Sequence, residues 1–148
     1  MPYTINAGAA PLAIAECEWA AAANVAATAT GDTQPTIQFT AFTSCIGIAA
    51  RNLAGTQVIG VHLALYDANS NAFTAADVPT VTAILQGQNY NPNQCFIIGE
   101  TAVWQASALA AYNALIAALP NAQIYSLADG TYGAGISAAP ASALEPTY

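Results

Sequence analysis

The segment from Ile46 to Leu65 admits few folds. Ile46-Gly47-Ile48-Ala49-Ala50 is a short apolar run, and Val58 to Leu65 is a second, with Val58, Ile59, Val61, Leu63 and Leu65 apolar. Arg51-Asn52-Leu53-Ala54-Gly55-Thr56 between them has the look of a hairpin loop. Two apolar β runs joined this closely pair antiparallel, and the rest of the chain must then cover them. The same stretch carries the scarcest side chains. Arg51 is the only basic residue, His62 the only histidine, and Cys45, just upstream, is one of three cysteines.

A covering scaffold is legible on both sides. Leu12, Ile14 and Glu16 suggest a short edge strand. Alanine dominates Cys17 to Ala29 and favours helix locally, with Val25 and Thr28-Ala29-Thr30 working against it. Gly31 to Pro35 reads as a turn. Thr36 to Phe42 alternates, with Ile37, Phe39 and Ala41 on one face and Gln38, Thr40 and Phe42 on the other. Tyr66 to Asn71 is loop. Thr74 with Asp77 three residues on reads as a capped helix start, running to Gln86 and stopping at Gly87. Gln88 to Gln94 is a polar loop and Cys95 to Gly99 a short buried strand. Thr101 caps the longest helix, with Val103, Leu109, Tyr112, Leu115, Ile116 and Leu119 at helical spacing, ended by Pro120-Asn121. Ile124 to Leu127 and Tyr132 to Ser137 form a closing hairpin across Asp129-Gly130. Residues 1–10 and 138–148 are expected to be loose ends of one domain spanning 1–148. The expected architecture is α+β: a mostly antiparallel β-sandwich core flanked by two or three helices.

Charge narrows the partners. Only 6% of residues are charged, and eight acids against Arg51 give a net charge of −7. Nucleic acid and anionic lipid need clustered Lys and Arg, so neither is a partner. No apolar run approaches the length of a membrane span. Met1-Pro2-Tyr3-Thr4 lacks the basic flank of a typical secretory signal. The chain has no lysine. Compositional drift explains that, and so does delivery into a eukaryotic cell, where a lysine-free protein escapes ubiquitin attachment. The second explanation makes the chain secreted or delivered into a host or target cell; otherwise it is cytoplasmic.

The chemistry concentrates on Cys45 and His62. A thiol becomes a nucleophile when its thiolate is stabilised, and a histidine on the neighbouring strand serves as base and then as acid. The two lie 17 residues apart, a separation at which a hairpin can bring them side by side. Ser44-Cys45 falls at the break between two β runs, where backbone N–H groups can line an oxyanion site. Asp67 can orient the imidazole or cap a loop turn, the turn being the better reading. Cys17 and Cys95 read as small buried hydrophobes, and Trp19 and Trp104 as core anchors. Cys17, Cys45, Cys95 and His62 have no zinc-site spacing, so no metal and no cofactor are expected. Gly133 and Gly135 lack the following helix that a phosphate loop needs.

Ser44-Cys45, the hydrophobic strand, the charged turn, His62 and the acid five positions later resemble the chemotaxis-receptor glutamine deamidases of the CheD type. The Cys-to-His spacing agrees without a gap. The chemistry is similar to that of the cytotoxic necrotising factor toxins, which use a Cys–His pair on a related sandwich. The resemblance is specific over Ser44 to Asp67; elsewhere it is a match of element order. It implies a deamidase-type sandwich in which Cys45 attacks a glutamine side chain of a target protein and His62 moves the proton, with transglutamination when an amine replaces water. The implied partner is a GTPase or other signalling protein bearing a reactive glutamine. The family places a threonine six positions before the cysteine, where this chain has Phe39. Thr40 is the nearest candidate for the third catalytic role, with Thr43 or a backbone carbonyl as alternatives.

Two other functions compete: a cysteine peptidase or acyltransferase of another fold, and a non-catalytic binding or immunity module whose Cys and His are incidental. A thiol within reach of the imidazole in an open groove favours an enzyme. A sandwich core rather than a two-lobed cleft favours the deamidase over the peptidase.

Overall fold

A six-stranded sheet runs through the middle of the computed structural model, which describes residues 2–148. Its strands are β1 (Asn6–Ala7), β2 (Glu18–Ala23), β4 (Ile46–Asn52), β5 (Gln57–Leu63), β6 (Tyr90–Gly99) and β7 (Gln123–Ser126), in the order β1-β2-β5-β4-β6-β7. A three-stranded sheet of β3 (Ile37–Gln38), β8 (Gly133–Ile136) and β9 (Leu144–Thr147), in the order β3-β8-β9, packs against one face. The helices α1 (Val78–Gly87), α2 (Thr101–Ser107) and α3 (Leu109–Ala118) complete the molecule. Among the described residues the strands of the large sheet pair in parallel at β1–β2 and β6–β7, both at its edges, and antiparallel elsewhere. This is the α+β sandwich expected.

The predicted hairpin is the centre. β4 and β5 pair antiparallel from Ile46↔Leu63 to Arg51↔Val58, and Ile46 to Ala50 and Val58 to Leu63 are all buried. Burial on both faces explains why neither strand alternates in sequence. The face shared by Gly47, Gly60 and His62 meets the small sheet. A Cβ on Gly47 would lie 2.5 Å from Phe39 Cε2, and one on Gly60 would lie 2.8 Å from both Ile14 Cδ1 and Ile37 Cδ1. The glycines are therefore the sockets into which the second layer seats.

Several expectations are corrected. The alanine-rich stretch is strand, not helix: Glu18 to Ala23 pair residue for residue with His62 to Gln57. Alanine's helical preference is a fraction of a kcal/mol per residue, less than a shared ladder with a buried central strand provides. Strand β6 begins at Tyr90, so most of the expected polar loop is extended strand, although only its Tyr90 pairs, with Asn52, beyond a register shift. The long helix is two, broken at Ala108 (φ −146°, ψ 47°). Trp104 is buried from α2, and Tyr112 and Leu115 from α3. Glu100, not Thr101, occupies the cap position, and Thr101 instead hydrogen-bonds Ser126. The closing hairpin does not form. β7 joins β6 in the large sheet, and the chain then crosses to the small sheet, where β8 pairs with β3 and β9.

Neither end is loose among the described residues; Met1 lies outside them. Tyr3 is buried, and its hydroxyl donates to the Ala64 carbonyl at 2.8 Å. Asn6 and Ala7 form β1, and Leu144 to Thr147 form the outer strand of the small sheet. The capping box at Thr74 and Asp77 is present. It opens a 3-10 turn, Ala75–Asp77, that leads into α1.

The sockets set a prediction. Gly47→Ala places a methyl group inside the Phe39 ring contact, and overpacking of a closed core costs about 1–3 kcal/mol. Urea unfolding is expected to show a loss of that size; unchanged stability would mean that the two sheets are not in register as described.

Candidate functional site

His62 sits opposite Gly47 on β4 and opposite Glu18 on β2. Residues two apart share a face, so Cys45 lies diagonally from His62 on the same side of the sheet. Such diagonal neighbours stand about 7–8 Å apart. The two predicted residues thus share a face of the sheet. The hairpin does not join them by a hydrogen bond.

The imidazole is completely buried. Its Nδ1 lies 2.8 Å from the carbonyl oxygen of Ile14. A carbonyl only accepts, so Nδ1 carries the proton and Nε2 keeps its lone pair. Nε2 has no hydrogen-bond partner among the described residues. Phe42 and Phe39 pack on the ring, with centroids at 4.8 and 5.6 Å. Burial pushes the imidazole below its ordinary value, against the opposing pull of the Ile14 hydrogen bond and the charges of Glu16 and Glu18. The ring is neutral at physiological pH.

Thr40 takes part through its backbone: its N–H donates to the same Ile14 carbonyl at 2.9 Å. The group that holds the His62 ring is therefore that carbonyl. Phe39, where the resembling family has threonine, fills the glycine sockets beside the ring. Asp67 does not reach the imidazole. Its carboxylate accepts from the N–H groups of Asn69, Asn71 and Thr4 at 2.9, 2.9 and 3.0 Å. Burial pushes that carboxyl up, but these bonds outweigh it and hold the group below its usual range.

Cys45 lines a surface groove of about 260 Å³ with Glu16, Thr43, Ser44, Ala64, Leu65 and Tyr66. Its thiol donates to Glu16 Oε1 at 3.4 Å. Burial, then the charge and hydrogen bond of Glu16 and the charge of Glu100, push the thiol up to about 12, partly offset by Thr43. At rest it is a protonated thiol, not a thiolate.

The break before Cys45 is tightly held. Ser44 has φ +75°, a left-handed conformation uncommon for serine. Its N–H donates to the Glu100 carboxylate, and its carbonyl accepts from Trp104 Nε1 at 3.0 Å. The Glu100 N–H closes the link by donating to the Cys45 carbonyl at 3.0 Å. The Ser44 N–H that the sequence offered as an oxyanion donor is thus occupied by Glu100. Burial and a hydrogen bond with Asp129 raise the Glu100 carboxyl above its ordinary value.

Glu16, Glu100 and the Ile14 carbonyl escaped the sequence reading. Glu16 precedes β2 and Glu100 follows β6, and only the sheet order brings them to Cys45. Cys17 and Cys95 are buried free thiols, as expected. Trp104 is fully buried and Trp19 half-buried. No group of three or more His, Cys, Asp or Glu side chains able to hold a metal occurs among the described residues. Comparison with protein-family models, curated proteins and solved structures gives no match.

Two outcomes follow from this arrangement. His62 is held below its ordinary 6.5, so the unfolded chain binds the proton more readily than the folded one. The stability of the neutral ring is then full above about 6.5 and is lost as pH falls from there toward the lowered folded value. In denaturation from pH 8 to 5, wild type should lose stability relative to His62→Phe; a pH-independent difference would refute this. Separately, Glu16→Gln should speed iodoacetamide labelling of Cys45 at pH 8 by up to about fivefold, the scale of an exposed charge interaction. Equal rates would remove Glu16 from control of the thiol.

Proposed function

We propose that the chain is a protein glutamine deamidase of the Cys–His type, with Cys45 as nucleophile and His62 as base and acid. The observation that carries this reading is the state of His62. Its Nδ1–H is fixed by a carbonyl, and its Nε2 lone pair is unpartnered on the same sheet face as a groove-lining thiol. A general base that must take a thiol proton needs this tautomer. The sandwich core, with no two-lobed cleft, supports an amidohydrolase over a peptidase. The resemblance of Ser44 to Asp67 to the CheD-type and necrotising-factor deamidases supports glutamine as the substrate side chain.

The resting contact with Glu16 defines the first step. Rotation of the Cys45 side chain away from Glu16 carries the thiol toward Nε2, which takes its proton. The sulfur attacks the amide carbon of the glutamine, and the imidazolium returns the proton to departing ammonia. Water then cleaves the thioester, yielding glutamate and the free thiol. An amine in place of water gives an isopeptide product. Thr40 serves through its main chain, so its hydroxyl is dispensable. The target is a GTPase or other signalling protein, and the lysine-free composition supports a delivered effector or toxin.

Burial of both groups, the raised thiol and the absence of a Cys45–His62 hydrogen bond favour a second reading, a non-catalytic binding or immunity module. Incubation with candidate GTPases and receptors, followed by mass spectrometry for glutamine converted to glutamate, separates the two. Conversion that disappears in Cys45→Ser and His62→Phe, and persists in Thr40→Val, is expected of the enzyme. Undiminished conversion by Cys45→Ser would sink the mechanism, and no conversion of any target leaves the binding module.

A further inference from the structure

The Cys45 groove does not stand alone. It shares Leu65 and Tyr66 with a second groove of about 330 Å³. That groove lies between the loop Ala72 to Ala75 and the helix break at Ser107 to Ala111. Its walls are mostly apolar and include Phe73. Two of the chain's few exposed large apolar side chains flank it: Tyr66 is 61% and Leu109 52% exposed. On its other side the Cys45 groove shares Glu16 and Tyr66 with a third groove of about 280 Å³, whose lining includes Glu18 and Asp67. Tyr66 is a wall of all three. The three grooves therefore adjoin around Tyr66 and make one trough with an apolar arm and an acidic arm, and Cys45 lies on the wall of the groove that shares residues with both.

We infer that this trough seats an extended segment of the target protein, with a large apolar side chain on one side of the reactive glutamine and a basic residue on the other. The inference rests on the deamidase reading and adds the substrate class to it. Continuity with the Cys45 groove fixes the apolar groove as a subsite of the same surface. An apolar side chain entering it is removed from water together with Leu109 and Tyr66. Charge selects the other end. A chain of net charge −7, with Glu16 on the rim, attracts a cationic segment and repels an acidic one.

The test uses fluorescein-labelled peptides with glutamine at the centre, phenylalanine two residues to one side and lysine two residues to the other, in both chain directions. Control peptides carry serine for phenylalanine or glutamate for lysine. Binding is read by anisotropy on Cys45→Ser protein, so that no turnover intervenes. The phenylalanine–lysine peptide of one direction should bind about tenfold more tightly than its serine control. It should bind a few-fold more tightly than its glutamate control. Leu109→Ser and Tyr66→Ala should erase the phenylalanine preference, and Glu16→Gln should reduce the lysine preference. No binding, equal binding of all peptides, or a preference untouched by Leu109→Ser overturns the trough. Selective binding without glutamate formation by the wild-type protein leaves the trough standing and overturns the deamidase reading instead.

Discussion

The contact of Phe39 with the glycine sockets of the central hairpin determines how the two layers of this protein meet. Gly47 and Gly60 stand on adjacent strands of the large sheet, and only hydrogen at those positions leaves room for the ring. The contact also fixes Ile14, which bridges Phe39 in parallel and places its carbonyl over His62. The orientation of the imidazole thus follows from layer packing, with no side chain dedicated to it. A wider spacing between the sheets would loosen the histidine before it unfolded the core.

The hairpin was legible because two signals agreed, apolar β runs and turn residues at a spacing that admits one pairing. The capping box at Thr74 and Asp77 was legible for the same reason, since cap chemistry is local. The alanine stretch misled because alanine carries almost no tertiary information; its partner on β5 decided its conformation. Leu127 to Tyr132 reads as a hairpin turn by composition, yet it carries the chain between layers, a choice that no local signal records. That His62 lies on the strand returning after Cys45 was legible from spacing alone. Glu16 and Glu100, far away in sequence, meet the thiol only through the strand order β2-β5-β4-β6.

Those two carboxylates give the site its electrostatic character. Burial first, and then Glu16 beside it and Glu100 on the backbone N–H behind it, make the thiol resist ionisation, the reverse of the positive surroundings that activate reactive cysteines. Such a site holds a protonated thiol at rest, not a standing thiolate. It would also be slow to oxidise, since oxidants attack the thiolate form.

Arg51, the chain's single cation, has a further consequence. Its guanidinium donates to the carbonyls of Ser142 and Gly55 and to the Gln94 side chain, joining the hairpin turn to the segment before β9. All three partners are neutral. The one cationic side chain is thus bound into the fold as a hydrogen-bonding clamp, and no lysine or second arginine offsets the repulsion among the acidic groups. Ionic strength therefore acts here in one direction. Added salt screens that repulsion and has no surface ion pair at Arg51 to weaken, so the folded state tightens with salt where many proteins gain and lose together.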